Sequence, residues 1–173
     1  MAKGQDNSKR EAVTDAIQSA FKGVTLGPGI SLRQAEMIDD RTKDCVTSPE
    51  FHALLSGEVT NDWSRVPFIE LERDYIAHLD ARGFRYYIPA LMLSVLERYE
   101  SVSMRVIGTL SGLYPRKEHW NYHVGRYALL DETQKSAIAF FLSALSELVE
   151  LDPEDEKMVQ RAFERYWKQF LVR

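Results

Sequence analysis

The run Phe84-Arg-Tyr-Tyr-Ile-Pro-Ala-Leu-Met-Leu-Ser-Val-Leu96 is apolar on every side once Arg85 is passed. As a helix it has no face to turn to water, so other elements must surround it. Its uncharged part, Tyr86 to Leu96, has 11 residues, well short of the roughly 20 that cross a bilayer. The run Ser136 to Ser146 is no longer. The segment therefore reads as the buried central helix of a bundle. Pro89 complicates it, because a proline inside a helix deletes one hydrogen bond and crowds the preceding turn. The expectation is a turn or two from Asp80, a kink or restart at Pro89, and a helix to about Tyr99.

Segments able to surround this centre recur on both sides. Val13, Ala16, Ile17, Ala20 and Phe21 share one stripe of a helix from about Lys9 to Lys22, stopped by Gly23. The glycines and proline between Gly23 and Gly29 turn the chain. Ser31 and Gln34 then open a second helix as a capping box, ending near Asp40 or Arg41. Ser48-Pro49 starts a short helix through Leu55, closed by Gly57. From Pro67 to Leu79, apolar Phe68, Ile69, Leu71, Tyr75, Ile76 and Leu79 alternate with Glu70, Glu72, Arg73 and Asp74, which predicts one amphipathic helix.

Ser101 to Leu110 reads as a further short helix, and Gly112 and Pro115 as a loop. Asp131 and Gln134 form another capping box, leading Ile138, Phe141, Leu142, Leu145 and Val149 along a core face. Asp152-Pro153 starts the last helix, whose stripe runs from Met158 and Val159 through Ala162, Phe163, Tyr166 and Trp167 to Phe170 and Leu171. No period-two run is long enough for a strand pair. The prediction is an all-α single domain over residues 9–173, a bundle of six to eight helices, preceded by a flexible N-terminus at 1–8.

At 173 residues the chain fits one domain, given about 150 residues per domain. Twenty-two Lys and Arg against 26 Asp and Glu leave a formal charge of −4, with no cationic cluster larger than Arg116-Lys117. This argues against a nucleic-acid partner, which needs clustered cations to displace counterions from phosphates. Cys45 stands alone, so neither an intrachain disulfide nor a cysteine-based zinc site can form. Met1 to Arg10 is too polar for a secretory signal. A cytoplasmic protein without membrane contact or cofactor is expected.

Several stretches resemble a widespread family of bacterial domains of unknown function. They are Ala20-Phe-Lys-Gly-Val24, Leu26-Gly-Pro-Gly-Ile-Ser-Leu32, Ile38-Asp-Asp40, Phe84-Arg-Tyr-Tyr-Ile-Pro-Ala-Leu91, Tyr127-Ala-Leu-Leu-Asp131 with Gln134-Lys-Ser-Ala-Ile-Ala-Phe-Phe-Leu142, and Tyr166-Trp167. They follow the family's order over nearly the whole chain. Two departures stand out: Ala81-Arg82 where the family often has Pro-Glu, and Arg41 where it commonly has Tyr. The resemblance implies a bacterial cytosolic protein and assigns no catalytic or binding residue.

His119-Trp-Asn-Tyr-His123 is the one spacing able to set two imidazoles on one helical face, as in the zinc pair of metalloproteases, although the central Glu of that motif is missing. Glu36, Asp39, Asp40 and Asp44 gather four carboxylates in nine residues, the oxygen-rich kind of cluster that holds a divalent cation. They can equally cap helices or pair with Arg33 or Arg41. Gly23 to Gly29 lacks the preceding strand and the Lys of a phosphate loop, and no Gly-x-Ser-x-Gly elbow occurs.

The acidic run Glu147 to Glu156 reads as a helix start favoured by the helix dipole, with Lys168 and Arg173 at the other end. Trp63 and Trp120 fall in loop-like sequence, as lids over the core or as interface anchors. Arg85 either reaches solvent by its stem or pairs with a carboxylate such as Asp80. With no catalytic residues marked, the chain reads as a non-enzymatic module binding another protein, by analogy of toxin-immunity or anti-defence inhibitor type. Asp39, Asp40, Trp63, Arg85 and Trp120 are its candidate binding residues. The alternative is a metal-dependent hydrolase or metal binder using His119 and His123 or the Asp39-Asp40 cluster.

Overall fold

The computed structural model describes residues 2–41, 43–73 and 75–171, and among them nine α-helices follow one another without a strand. They are α1 (Ala2–Ala20), α2 (Leu32–Arg41), α3 (Pro49–Ala53), α4 (Phe68–Leu71), α5 (Ala81–Glu97), α6 (Met104–Leu113), α7 (Trp120–Arg126), α8 (Glu132–Leu148) and α9 (Pro153–Arg165). Short 3-10 turns at Lys43–Thr47, Trp63–Arg65, Ile76–His78, Lys117–His119 and Trp167–Phe170 join or extend them. The architecture is all-α, as the periodicity predicts. The helices outnumber the expected six to eight because α3, α4 and α7 are pieces of one or two turns. α1 reaches back to Ala2, across most of the segment expected to be flexible. Met1, Arg173 and Asp74 lie outside the described residues. None of the described helices is long and apolar enough to cross a membrane.

α5 is the centre. Twelve of its 17 residues are buried, among them Tyr86, Ile88, Met92 and Val95 without measurable exposure, so little of the helix meets water beyond its ends. The helix runs through Pro89 without a break, which corrects the expected restart. A proline there costs about 3 kcal/mol. Burying Ile88, Leu91 and Met92 around it returns about 1.5–3 kcal/mol each, which decides the outcome.

Capping residues set the helix starts where the sequence places them. Ser31 and Gln34 exchange side-chain to backbone bonds at 3.2 and 3.0 Å. Ser48 Oγ accepts from Phe51 N at 3.1 Å, and Asp131 and Gln134 complete the box that opens α8. Asp80 does double duty, its Oδ1 accepting the N–H of Gly83 at 2.8 Å and of Ile30 at 3.0 Å. This presses the Gly23–Ile30 turn onto the start of α5. A Cβ on Gly83 would stand 2.2 Å from the Ile30 carbonyl oxygen, so only glycine fits.

α1 packs antiparallel on α8. Lys9 pairs with Glu147 at 2.5 Å at one end, and the Ala20 carbonyl accepts from Gln134 Nε2 at 3.2 Å at the other. Arg10 donates to the Leu96 carbonyl, and at 2.6 Å to that of Leu148, closing the last turns of α5 and α8 with one cation where both helix dipoles are negative. The acids of the Glu147–Glu156 run serve the fold similarly. Glu154, Asp155 and Glu156 occupy the first turn of α9, and buried Asp155 accepts from Tyr99 OH at 2.7 Å.

Three further expectations are corrected. The helix from Pro67 to Leu79 is only α4, because beyond Leu71 the backbone serves tertiary partners: the Ile76 carbonyl accepts from Arg126 and that of Ala77 from Tyr122. Gly112 belongs to α6 rather than to a loop, its carbonyl accepting from Tyr127 OH at 2.7 Å. The last helix stops at Arg165, and Trp167 enters the core from the 3-10 turn, its indole N–H bonded to the Leu113 carbonyl at 2.7 Å.

Candidate functional site

On α6, Ile107, Gly108, Ser111 and Gly112 recur at helical spacing, and the two glycines leave that side of the helix without bulk. Ile76 and Ala77 face it from the 3-10 turn, and α7 closes the far side with Tyr122, His123 and Arg126. Between them lies a cleft of about 510 Å³. Arg116 and His119 stand at its rim.

Arg126 forms the floor. Only 5 % of it is exposed. Its Nη1 donates to the Ile76 carbonyl at 2.8 Å and its Nη2 to His123 Nδ1 at 3.1 Å, while its Nε has no partner. The guanidinium lies 4.8 Å from the Tyr122 ring and 5.3 Å from that of Phe84. No carboxylate among the described residues forms an ion pair with it. Burial lowers its pKa below the usual arginine value.

Among the described residues, the other deeply buried arginine shows what compensation looks like. Arg105, with no exposure, bonds Glu72 at 2.9 Å, Ser94 Oγ at 3.0 Å and the Arg98 carbonyl at 2.7 Å, over the Phe68 ring. Arg126 has the rings and the carbonyl but lacks the carboxylate.

His123 is also buried. Desolvation first, and the Arg126 charge second, push its pKa down to about 4. It is therefore neutral at neutral pH and accepts the arginine's hydrogen bond. Tyr122, half-exposed, covers the guanidinium with its ring and donates its hydroxyl to the Ala77 carbonyl, strapping α7 to the opposite wall.

The residues singled out by sequence part company here. His119 and His123 both reach the cleft, but α7 starts only at Trp120, leaving His119 at the cap, and the His123 nitrogen faces a cation. Asp39 pairs with His78 at 2.8 Å and Glu36 with Arg73, while Arg33 bonds Glu70 at 2.6 Å, so the carboxylates after Glu36 are dispersed. Asp40 and Asp44 are exposed. Among the described residues no three His, Cys, Asp or Glu gather as a metal site would require.

Trp63 is buried, its indole bonded to the Phe21 carbonyl at 2.7 Å, which makes it a lid over the core. Trp120 stays 36 % exposed against Tyr166. Arg85 is half-buried and pairs with no carboxylate among the described residues, Asp80 included; its Nε donates to Gln134 Oε1 at 3.0 Å. Arg126, Arg116 and Tyr122 escape a sequence reading that treats this stretch as a loop. As a helix, His119, His123 and Arg126 recur at i, i+4 and i+7, and that spacing is the signal that could have found the floor.

The motifs that shape these surroundings lie inside one recognised span. A model of a family of unknown function, DUF6714, matches residues 9–171. The chain belongs to that family. No curated protein and no solved structure matches it. Within the DUF6714 span the Leu26–Leu32 turn, the α5 run and the Asp131–Gln134 cap each have a structural role: the turn packs on α5, α5 fills the centre, and the cap starts α8.

Proposed function

We propose that the chain is a non-enzymatic protein-interaction module of the bacterial cytoplasm, of toxin-immunity or anti-defence inhibitor type. The observation that carries this reading is a set of large apolar side chains left in water around the start of α6: Val102 is 86 % exposed, Ile69 72 % and Met104 55 %. Phe68 beneath the Arg98 and Arg105 guanidinium groups holds α4, and with it Ile69, against the turn carrying Val102. Exposed large apolar side chains of this kind mark interaction sites on soluble domains.

The charges nearby are already engaged within the chain, Arg98 with Glu100 at 2.8 Å, Arg73 with Glu70 at 2.8 Å and Arg105 with Glu72 at 2.9 Å. The face therefore sets apolar side chains beside ion pairs already satisfied within the chain, and the partner it fits presents apolar side chains of its own. A comparison of wild type with the combined Ile69→Lys, Val102→Glu and Met104→Lys variant tests this. A stoichiometric partner retained from native extract by wild type, and lost by the variant at unchanged melting temperature, is the expected result. Failure of wild type to retain one, or retention by the variant, overturns the reading.

A further inference from the structure

We propose that the cleft between α6 and α7 binds a small organic oxyanion, a carboxylate or phosphate ester on an apolar body, with Arg126 as the cation beneath it. This goes beyond the protein-docking face and does not depend on it. A charge taken out of water needs an opposite charge or a full set of hydrogen bonds. Arg126 has neither, since no carboxylate pairs with it among the described residues and its buried Nε has no acceptor.

The rest of the cleft complements an anion of that kind. Arg116 at the rim adds positive potential along the entry path, and among the described residues no acidic side chain lines the wall. Ile76, Ala77, Ile107 and the Tyr122 ring supply apolar surface for the ligand's body, and about 510 Å³ suits a small molecule. A planar guanidinium at the base of such a pocket matches the two oxygens of a carboxylate or phosphate. Tyr122 is the cover that an entering anion displaces. Half of it is in solvent, and the hydrogen bond to Ala77 holds its ring over the cation.

The test titrates the full chain with benzoate, phenyl phosphate and inorganic phosphate, with neutral benzamide as the isosteric control, followed by NMR and thermal shift. Saturable binding of benzoate or phenyl phosphate, with shifts at Ser111, Tyr122 and His123 and at least tenfold weaker binding of benzamide, is expected. The tighter of the two arms identifies the ligand as carboxylate or phosphate. Arg126→Gln removes the binding if it folds. Because that variant can fail to fold, exposed Arg116→Ala provides the second check, with affinity at least threefold lower at unchanged melting temperature. No saturable binding of any anion, equal binding of benzamide, or unaltered affinity in Arg116→Ala and a folded Arg126→Gln overturns the proposal.

Discussion

Arg126 donates a hydrogen bond to His123 Nδ1 at 3.1 Å, so two buried basic side chains meet at one contact. Protonating His123 would place two cations in contact under the Tyr122 ring. Burial first, and this contact with the Arg126 charge second, lower its pKa from 6.5 to about 4 on folding. A depressed imidazole contributes stability that is fully present above pH 6.5 and is lost as pH falls towards 4, up to about 3 kcal/mol. Urea midpoints from pH 7 to pH 4 should drop more steeply for wild type than for His123→Gln. Parallel curves would show that His123 is not the titrating group.

Glu72 is the acid that makes buried Arg105 tolerable. Glu72→Ala leaves the guanidinium with Ser94, the Arg98 carbonyl and the Phe68 ring only, and should lower stability by about 2 kcal/mol in guanidinium titrations. The double variant Glu72→Ala/Arg105→Met removes the orphaned charge as well. It should be more stable than Glu72→Ala alone.

Two glycines in helices should respond with opposite signs. Gly83→Ala drives a Cβ to 2.2 Å from the Ile30 carbonyl oxygen and must displace the turn against α5. A loss of about 3 kcal/mol is expected. Gly125 in α7 has nothing within 4 Å of the same position. There alanine should stabilise by about 0.5–1 kcal/mol through helix propensity. Calorimetric melting of both variants checks the pair.

The three tryptophans differ in access. Trp63 is 4 % exposed and Trp167 has no exposure, each with its indole N–H bonded to a carbonyl, whereas Trp120 is 36 % exposed. Iodide should quench one component of the emission, and Trp120→Phe should abolish that component while leaving the melting temperature nearly unchanged. Comparable quenching in the variant would mean that Trp63 or Trp167 is open to solvent.

The parts of this fold that could be read from residue order are those decided locally. Ser31, Ser48, Asp80, Asp131 and Asp152 each cap a helix with an oxygen reaching amides two or three residues ahead, and the stripes of α1, α8 and α9 need only helical spacing. Where a distant side chain competes for the backbone, the periodicity fails. Ile76 and Ala77 surrender their carbonyls to residues 50 and 45 positions away, and the helix predicted over Pro67 to Leu79 is interrupted.

The candidate site was less legible for the same reason. Both histidines of the His119–His123 pair are at the cleft, but the setting of His123 comes from Arg126, whose lack of a carboxylate partner among the described residues only a three-dimensional arrangement reveals. Trp63 and Arg85 were ambiguous until Phe21 and Gln134, 42 and 49 residues away, supplied their partners.

The antiparallel pairing of α1 with α8 sets a schedule for synthesis. The face of α1 that carries Val13 and Ile17 has its main partner more than a hundred residues downstream, since the Ala20 carbonyl bonds a side chain 114 positions later and Lys9 one 138 later. At about 5–20 residues per second, a ribosome takes roughly 6–25 seconds to supply that partner. During that interval the first helix leaves an apolar stripe uncovered, so a nascent chain of this protein should be held by chaperones until α8 emerges.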